Sequence, residues 1–392
     1  MGDFTKFRSA HVPLARQMLW HDRWRLLRSI AGIAFAVFLI FAEIGFLNGL
    51  YDNQVELIRQ LNADIIITHA AKRNLNQNRP FSRRRLYQAK VVPGVIAAYP
   101  LHVGFRRAGW KNPDTHHVRP LRILAIRPGD PVFTNPAITA YTEVLKAPGT
   151  VLMDTRSKAH FGRREAGVVT ELEGMMVRVV GTFELGTDFV VSGNVLMSDQ
   201  NLPRYLSLEP TARAELAKVE LGVVHLAPHA DTSEVAAALR RHLPQDVLVE
   251  TKETYLNRER RYWRTRTPIG AIFGFGAAMG VVIGVIICYQ ILYTNVLDHL
   301  PQFATLKAIG YTNRFLIGIV LKQALMLSCF GFLSGLCTSL LFYRLVSNWS
   351  GLLMHLTPAR AALVFSLTVG MCLLAGTLAI RRIMLTDPAE VF

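Results

Sequence analysis

Ile269–Leu292 reads IGAIFGFGAAMGVVIGVIICYQIL, a run without a single charged residue, and its length decides the fold. Roughly 20 consecutive apolar residues let an α-helix cross hydrocarbon about 30 Å thick, where only a helix or a closed barrel satisfies the backbone hydrogen bonds. Working outward from this run, three more stretches qualify. The spans are predicted at residues 26–50, 268–296, 315–346 and 361–380. The third is long enough to tilt or to extend beyond the bilayer, and its Lys322 lies near one end, where a four-carbon stem reaches the headgroups. Within the second, Gly276, Gly280 and Gly284 recur every four residues and form a small-residue stripe that lets helices approach closely. Two uses of the stripe stand open: packing inside the chain, or contact with a second copy.

The rest of the composition agrees with a membrane protein. Of 392 residues 51% are hydrophobic and only 18% charged, too apolar for a soluble chain of this size. A net charge of +16 would suggest nucleic acid if the apolar runs were absent; with them, anionic lipid headgroups are the expected counter-charge. All four cysteines, Cys288, Cys329, Cys337 and Cys372, fall in apolar runs, so the polar middle can build no disulfide framework or cysteine-based zinc site. The first apolar run has no small-residue cleavage signal and is expected to be a retained span.

Basic residues set the expected orientation. Residues 1–25 form an N-terminal amphipathic segment, and Lys6, Arg8, Arg16, Arg23, Arg25 and Arg28 precede the first span or lie at its start, with Asp52 and Glu56 beyond it. This places the N-terminus in the cytoplasm. Arg381 and Arg382, in the tail 381–392, place the C-terminus there too. The run Arg258, Arg260, Arg261, Arg264 and Arg266 argues the other way, but long translocated domains largely escape the charge rule.

Between the first two spans, residues 51–267 form the expected extracytoplasmic domain. ADIIITH at Ala63–His69 suggests a strand, Ser82–Lys90 a helix and Val95–Arg106 a strand; Lys218–Leu226, Asp231–His242 and Val247–Glu250 repeat that order. The fold class is therefore four transmembrane helices with an α+β domain of two lobes. One lobe is a strand-helix-strand unit from 51–118 and 217–257, and the other a β-rich insertion over 119–216 with turn signals such as Pro128-Gly129 and Pro148-Gly149 between its β-rich runs.

YQILYTNVLDHLPQFATLKAIGY at Tyr289–Tyr311, with DPAEVF at 387–392, resembles the permease subunits of the FtsX and MacB-like ABC transporter family. The resemblance is strongest to DevC-type exporter permeases, which AGIAFAVFLIF at 31–41 and LNADIIIT at 61–68 also resemble. It covers both ends and the start of the domain. It implies a MacB-like periplasmic core, a homodimer in the bacterial inner membrane, an ABC ATP-binding subunit on the cytoplasmic face, a periplasmic membrane-fusion adaptor and a TolC-like outer-membrane channel. Lipids are the other expected partner, and the exported substrate is expected to be lipid-like or amphiphilic. An FtsX-like mechanotransducer that regulates an extracytoplasmic enzyme is the alternative.

The resemblance also makes the loop 297–314 a coupling loop for the ATPase. The residues fit: Leu300, Phe303, Leu306 and Ile309 are expected to share a helical face, Asp298, His299 and Lys307 to supply polar contacts, and Gly310 to end the helix. The loop 347–360 lies outside. No G-x-x-x-x-G-K-[ST] phosphate loop occurs, so the chain is expected to bind no cofactor itself and to leave ATP, magnesium and hydrolysis to a separate subunit.

Other clusters carry less. His116-His117 and His225 with His229 lack the cysteine or carboxylate spacing of a metal site, and no G-x-S-x-G elbow accompanies the Ser, His and Asp residues of the domain. No enzymatic activity is expected. Glu43 inside the first span faces a partner helix or the aqueous boundary, with a structural role and a proton or substrate role both open. Arg258, Arg261, Tyr262, Trp263 and Arg264 form a stalk before the second span: the aromatics are expected at the membrane interface, and the arginines on headgroups or on an adaptor or amphiphile.

Overall fold

The computed structural model describes residues 23–188, 190–206, 216–350, 352, 354 and 356–385, apart from the side chains of 105–107, 269, 308, 350 and 381–385. The basic residues before Arg23, the side chains of Arg381 and Arg382 and the 387–392 motif lie outside it. In chain order the elements are α1 (Arg23–Gln60), β1 (Ile65–His69), β2 (Phe81–Ser82), α2 (Arg84–Ala89), β3 (Val95–Lys111), β4 (Val118–Ile126), α3 (Pro136–Ala140), β5 (Thr150–Asp154), β6 (Val169–Leu172), β7 (Met175–Phe183) and β8 (Asn194–Ser198). There follow α4 (Leu202–Leu206), β9 (Lys218–Val219), β10 (Leu221–Leu226), α5 (Thr232–His242), β11 (Val247–Thr251), α6 (Lys252–Arg266), α7 (Ile269–Asp298), α8 (Leu300–Ala308), α9 (Asn313–Ser350) and α10 (Pro358–Leu385). Two units result. One comprises α1 as far as Leu47, Ala271–Leu345 and the chain from Met354; the other comprises Asn48–Gly270 with Val346–Leu353.

The first unit holds four helices long and apolar enough to cross a membrane, α1, α7, α9 and α10. Its core gathers Ile33, Ala36, Val37, Ile40 and Phe41 of α1, Cys288 and Leu292 of α7, Ala324, Leu327 and Tyr343 of α9, and Met371, Cys372 and Ala375 of α10. Lipid tails are as apolar as leucine, so close packing rather than hydrophobic sorting holds such helices together. Small residues permit it. A methyl group on Gly335 would fall within 3 Å of Val37, and Tyr343 donates its hydroxyl to the Phe41 carbonyl.

In the second unit one sheet of nine strands runs β11-β1-β10-β3-β4-β8-β5-β7-β6. ADIIITH supplies β1, central to its end of the sheet: Ile66 pairs antiparallel with Val223 of β10 and with Glu250 of β11. Long β3, inside the first expected lobe, pairs with β10 of that lobe and with β4 of the expected insertion, so the two lobes share the sheet. A further pairing of Trp110 with Leu172 closes β3, β4, β8, β5, β7 and β6 on themselves. Trp110, Ile123, Met153, Val179 and Val195 fill the interior of that ring. Helix α5 starts at Asp231, whose carboxylate accepts from the Ser233 and Glu234 amides. At the end of α1, Lys252 donates to the carbonyls of Arg59 (2.9 Å) and Leu61 (2.6 Å), which ties the start of α6 to the last turn of α1.

Candidate functional site

The loop between α7 and α9 is helical at its centre. Proline in the first turn suits a helix start, where amides lack partners, and the end is a Schellman motif. Gly310 takes φ +103°, its amide bonds the Lys307 carbonyl at 3.1 Å, and the Tyr311 amide bonds that of Leu306 at 3.1 Å. Phe303 is buried among Val296, Leu316, Ile319, Val320 and Ile380, with Leu306 packed against the same cluster. The four expected face residues do not share a face. Steps of three residues lag 60° per step on a helix of 3.6 residues per turn, so Ile309 ends opposite Leu300; it is 70% exposed. Leu300 and Lys307 are half-buried.

Asp298 is engaged within the chain, in an ion pair with Arg25 of α1, while the His299 carbonyl accepts the Phe303 amide at 3.0 Å. Beyond Gly310, Tyr311 and Phe315 are exposed and stack on one another, ring centroids 4.7 Å apart. Ile309 and Tyr311 on the loop and Phe315 in the first turn of α9 thus expose large hydrophobic side chains. The last two were missed from sequence, though an aromatic pair four residues apart after a helix-ending glycine was there to be seen.

The glycine stripe of α7 packs inside the chain. A methyl group would meet the Glu43 carboxylate at Gly276, Ile40 at Gly280, and Met371 with Ala36 at Gly284. Residues 36, 40 and 43 are one face of α1, so the stripe is the seat of that helix, and Glu43 lies over its glycine rather than over a bulky neighbour.

In the arginine-rich helix α6, Trp263 is buried within the chain: it lies four residues from Glu259 and donates its indole N–H to that carboxylate at 2.9 Å. Both oxygens of Glu259 also accept the Leu75 amide, at 3.1 and 3.0 Å. Tyr255, Glu259 and Trp263, spaced by four, are the inward stripe. Burial pushes the Glu259 carboxyl up to about 7 against the hydrogen bonds it accepts, and burial brings the nearby Lys72 ammonium down to about 8. Arg258 pairs with Glu250 at 2.9 Å and donates to the Lys72 carbonyl at 3.2 Å. Tyr262 stands edge-on to Trp263, and Arg264 lies 6.0 Å from the Tyr51 ring. Arg261 is exposed. Elsewhere in this unit the His225 ring bonds the Asn62 carbonyl.

The molecule is thus a four-span membrane protein with a mixed α/β domain inserted between its first two spans. Residues 274–388, which hold most of the last three spans and the loop helix, match the family model for the FtsX-like permease C-terminal region. Among solved structures, the periplasmic region of MacB from Actinobacillus actinomycetemcomitans aligns at 9% identity over 50% of this chain and 92% of its own, with a TM-score of 0.35. The extracellular domain of the noncanonic ABC-type transporter YknZ from Gram-positive bacteria aligns at 11% identity over 47% of this chain and 98% of its own, with a TM-score of 0.32. No curated protein matches.

Proposed function

We propose that this chain is the permease subunit of an ABC-type transporter, docked through its α7–α9 loop to a separate ATP-binding subunit on the cytoplasmic face of a bacterial inner membrane. The observation that carries the reading is the split of that loop. Phe303 and Leu306 fasten α8 to the spans, while Ile309, Tyr311 and Phe315 are left exposed. A surface that is apolar outward and rigidly anchored inward suits a partner groove, because displacement of the helix is passed to α7, α9 and α10 rather than absorbed. The match of residues 274–388 supports the same reading.

In the finer version the ATP and magnesium sit on the partner, two copies of this chain assemble, and the large domain meets a periplasmic adaptor and a TolC-like channel for export of a lipid-like or amphiphilic substrate, as in DevC-type systems. Exposed Ile272, Phe275 and Ile286 on α7 leave apolar surface for lipid or a second copy.

The test is co-purification from cells expressing this chain with the ATPase encoded beside it. Wild type should retain the ATPase in stoichiometric amount, and Ile309→Glu with Tyr311→Glu should lose it while the purified chain unfolds at the same temperature. Equal retention by the variant would sink the docking assignment.

A further inference from the structure

The face of α6 that carries Arg258, Tyr262 and Arg266, again spaced by four, does not pack into the core. With Ala70, Lys72 and Arg73 from the turn after β1 it borders an open cavity of about 580 Å³. Four of these six residues are cationic, and none is a carboxylate. Three acids lie near: two are committed elsewhere, and the third, Glu250, offsets one of the four cations. Glu259 accepts from Leu75 and Trp263, Glu250 pairs with Arg258, and Glu220 lies 3.6 Å from the His102 ring and accepts the Val103 amide.

Lys72 is 1% exposed, yet its ammonium makes no ion pair among the described residues and donates to the Glu220 carbonyl at 3.3 Å. An ammonium has three donors, so two remain to be used. On Arg258 the buried Nε has no acceptor. Holding a buried ammonium beside a guanidinium is costly unless anions offset them, and Glu250 pairs with the guanidinium only. Desolvation and Arg258 both lower the affinity of Lys72 for its proton, and Glu220 and Glu259 offset them only in part.

We propose that this cavity binds a phosphate dianion, free or as a monoester. Arg258, Arg73, Arg266 and Tyr262 supply the donors along its wall, and Lys72, almost fully buried, adds its charge from beneath. Charge-assisted donors converging from two elements are what a tetrahedral oxyanion requires, and the volume leaves room for a sugar or glycerol attached to it. Arg266 precedes the first residue of the apolar α7 by three positions, a reach of at most about 10 Å of extended chain. A phosphate held here can therefore belong to a molecule whose acyl chains remain in the bilayer, or be free in solution. The site does not rest on the ATPase reading, because every residue in it lies within Asn48–Gly270.

Binding is measured calorimetrically on the full chain in an uncharged maltoside detergent, with three probes: inorganic phosphate, dihexanoyl phosphatidate and dihexanoyl phosphatidylcholine. The deciding variant is Arg73→Gln with Arg266→Gln, since both side chains are exposed and their loss leaves the core intact. Saturable binding of phosphatidate, of phosphate or of both, weakened at least about tenfold in the variant without a change in unfolding temperature, supports the site. Phosphatidate bound at least about tenfold tighter than phosphate assigns the anion to an amphiphile, and similar affinities assign it to free phosphate. No saturable binding of either anion, equal affinity in the variant, or phosphatidylcholine bound as well as phosphatidate overturns the proposal.

Discussion

Helix α6, before the second span, turns Tyr255, Glu259 and Trp263 inward, whereas α8, after that span, turns in Phe303 and Leu306 and ends on an Ile309 that is 70% exposed. Both are amphipathic, and their inward stripes differ in kind. The core under α6 offers an amide at Leu75 and an indole N–H at Trp263, so a carboxylate can be buried there with its oxygens bonded. Under α8 lie Val296, Leu316, Ile319, Val320 and Ile380 from three spans, and the residues it buries among the described side chains, Phe303 and Ala304, are apolar. The lesson is that a helix's inward face is chosen by the partners waiting for it. Its outward face is then free for another purpose: arginines around a cavity on α6, an apolar surface beside α8.

That contrast can be broken most severely at the α8 anchor. Phe303→Ala should cost about 3–5 kcal/mol, by lost transfer free energy and the cavity left behind. Thermal unfolding in detergent reads the loss, and a change under 1 kcal/mol would show that α8 is not held as described.

On α6 the sharper test is pH. Glu259 has its folded pKa raised from 4.5 to about 7, so between these values the folded state holds the proton that the unfolded state has released, and stability falls as pH rises through that window. The fall amounts to at most about 3 kcal/mol. Lys72, lowered from 10.5 to about 8, acts with the opposite sign above pH 8, where the unfolded chain holds the extra proton and stability rises with pH. Denaturant titrations at pH 5 and pH 8 should show the loss in wild type, and Glu259→Gln should flatten it. An unchanged slope in the variant removes Glu259 as its source.

Gly310→Ala should cost about 1 kcal/mol, because φ +103° brings any Cβ close to the chain, and unfolding of the variant checks it. The smallest effect on stability is expected from Ile309→Ala, within about 0.5 kcal/mol for an exposed side chain. If this variant weakens ATPase retention while its unfolding is unmoved, the division between anchor and surface is sharpened; if unfolding drops by several kcal/mol, Ile309 is core and the contrast with α6 fails.

Much of this was legible in the residues. A run such as Ile269–Leu292 has one low-energy fate in hydrocarbon, so the spans follow from composition alone. Gly310 could be placed as a helix end because few other residues tolerate the left-handed region. The glycine stripe announced a close approach, but whether it met α1 or a second copy depended on what lay opposite, and Ala36, Ile40 and Glu43 are hundreds of residues away in the chain. The alignment of Leu300 with Ile309 failed for a local reason, since a spacing of three drifts around the helix.

The sequence by itself determined that the chain has four spans, a mixed α/β domain between the first and second, and a helical loop closed by glycine. Each of these depends on neighbours a few residues apart, through hydropathy, period and backbone freedom. Only the tertiary structure decided that β3 joins both lobes in one sheet, that Glu259 is buried between Trp263 and the Leu75 amide, and that Lys72 and Arg258 line one cavity. The last two depend on Leu75 and Lys72 meeting α6 residues nearly two hundred positions away, and no local pattern carries that information, because the cost of burying a charge is set by whichever donor or acceptor the fold brings beside it.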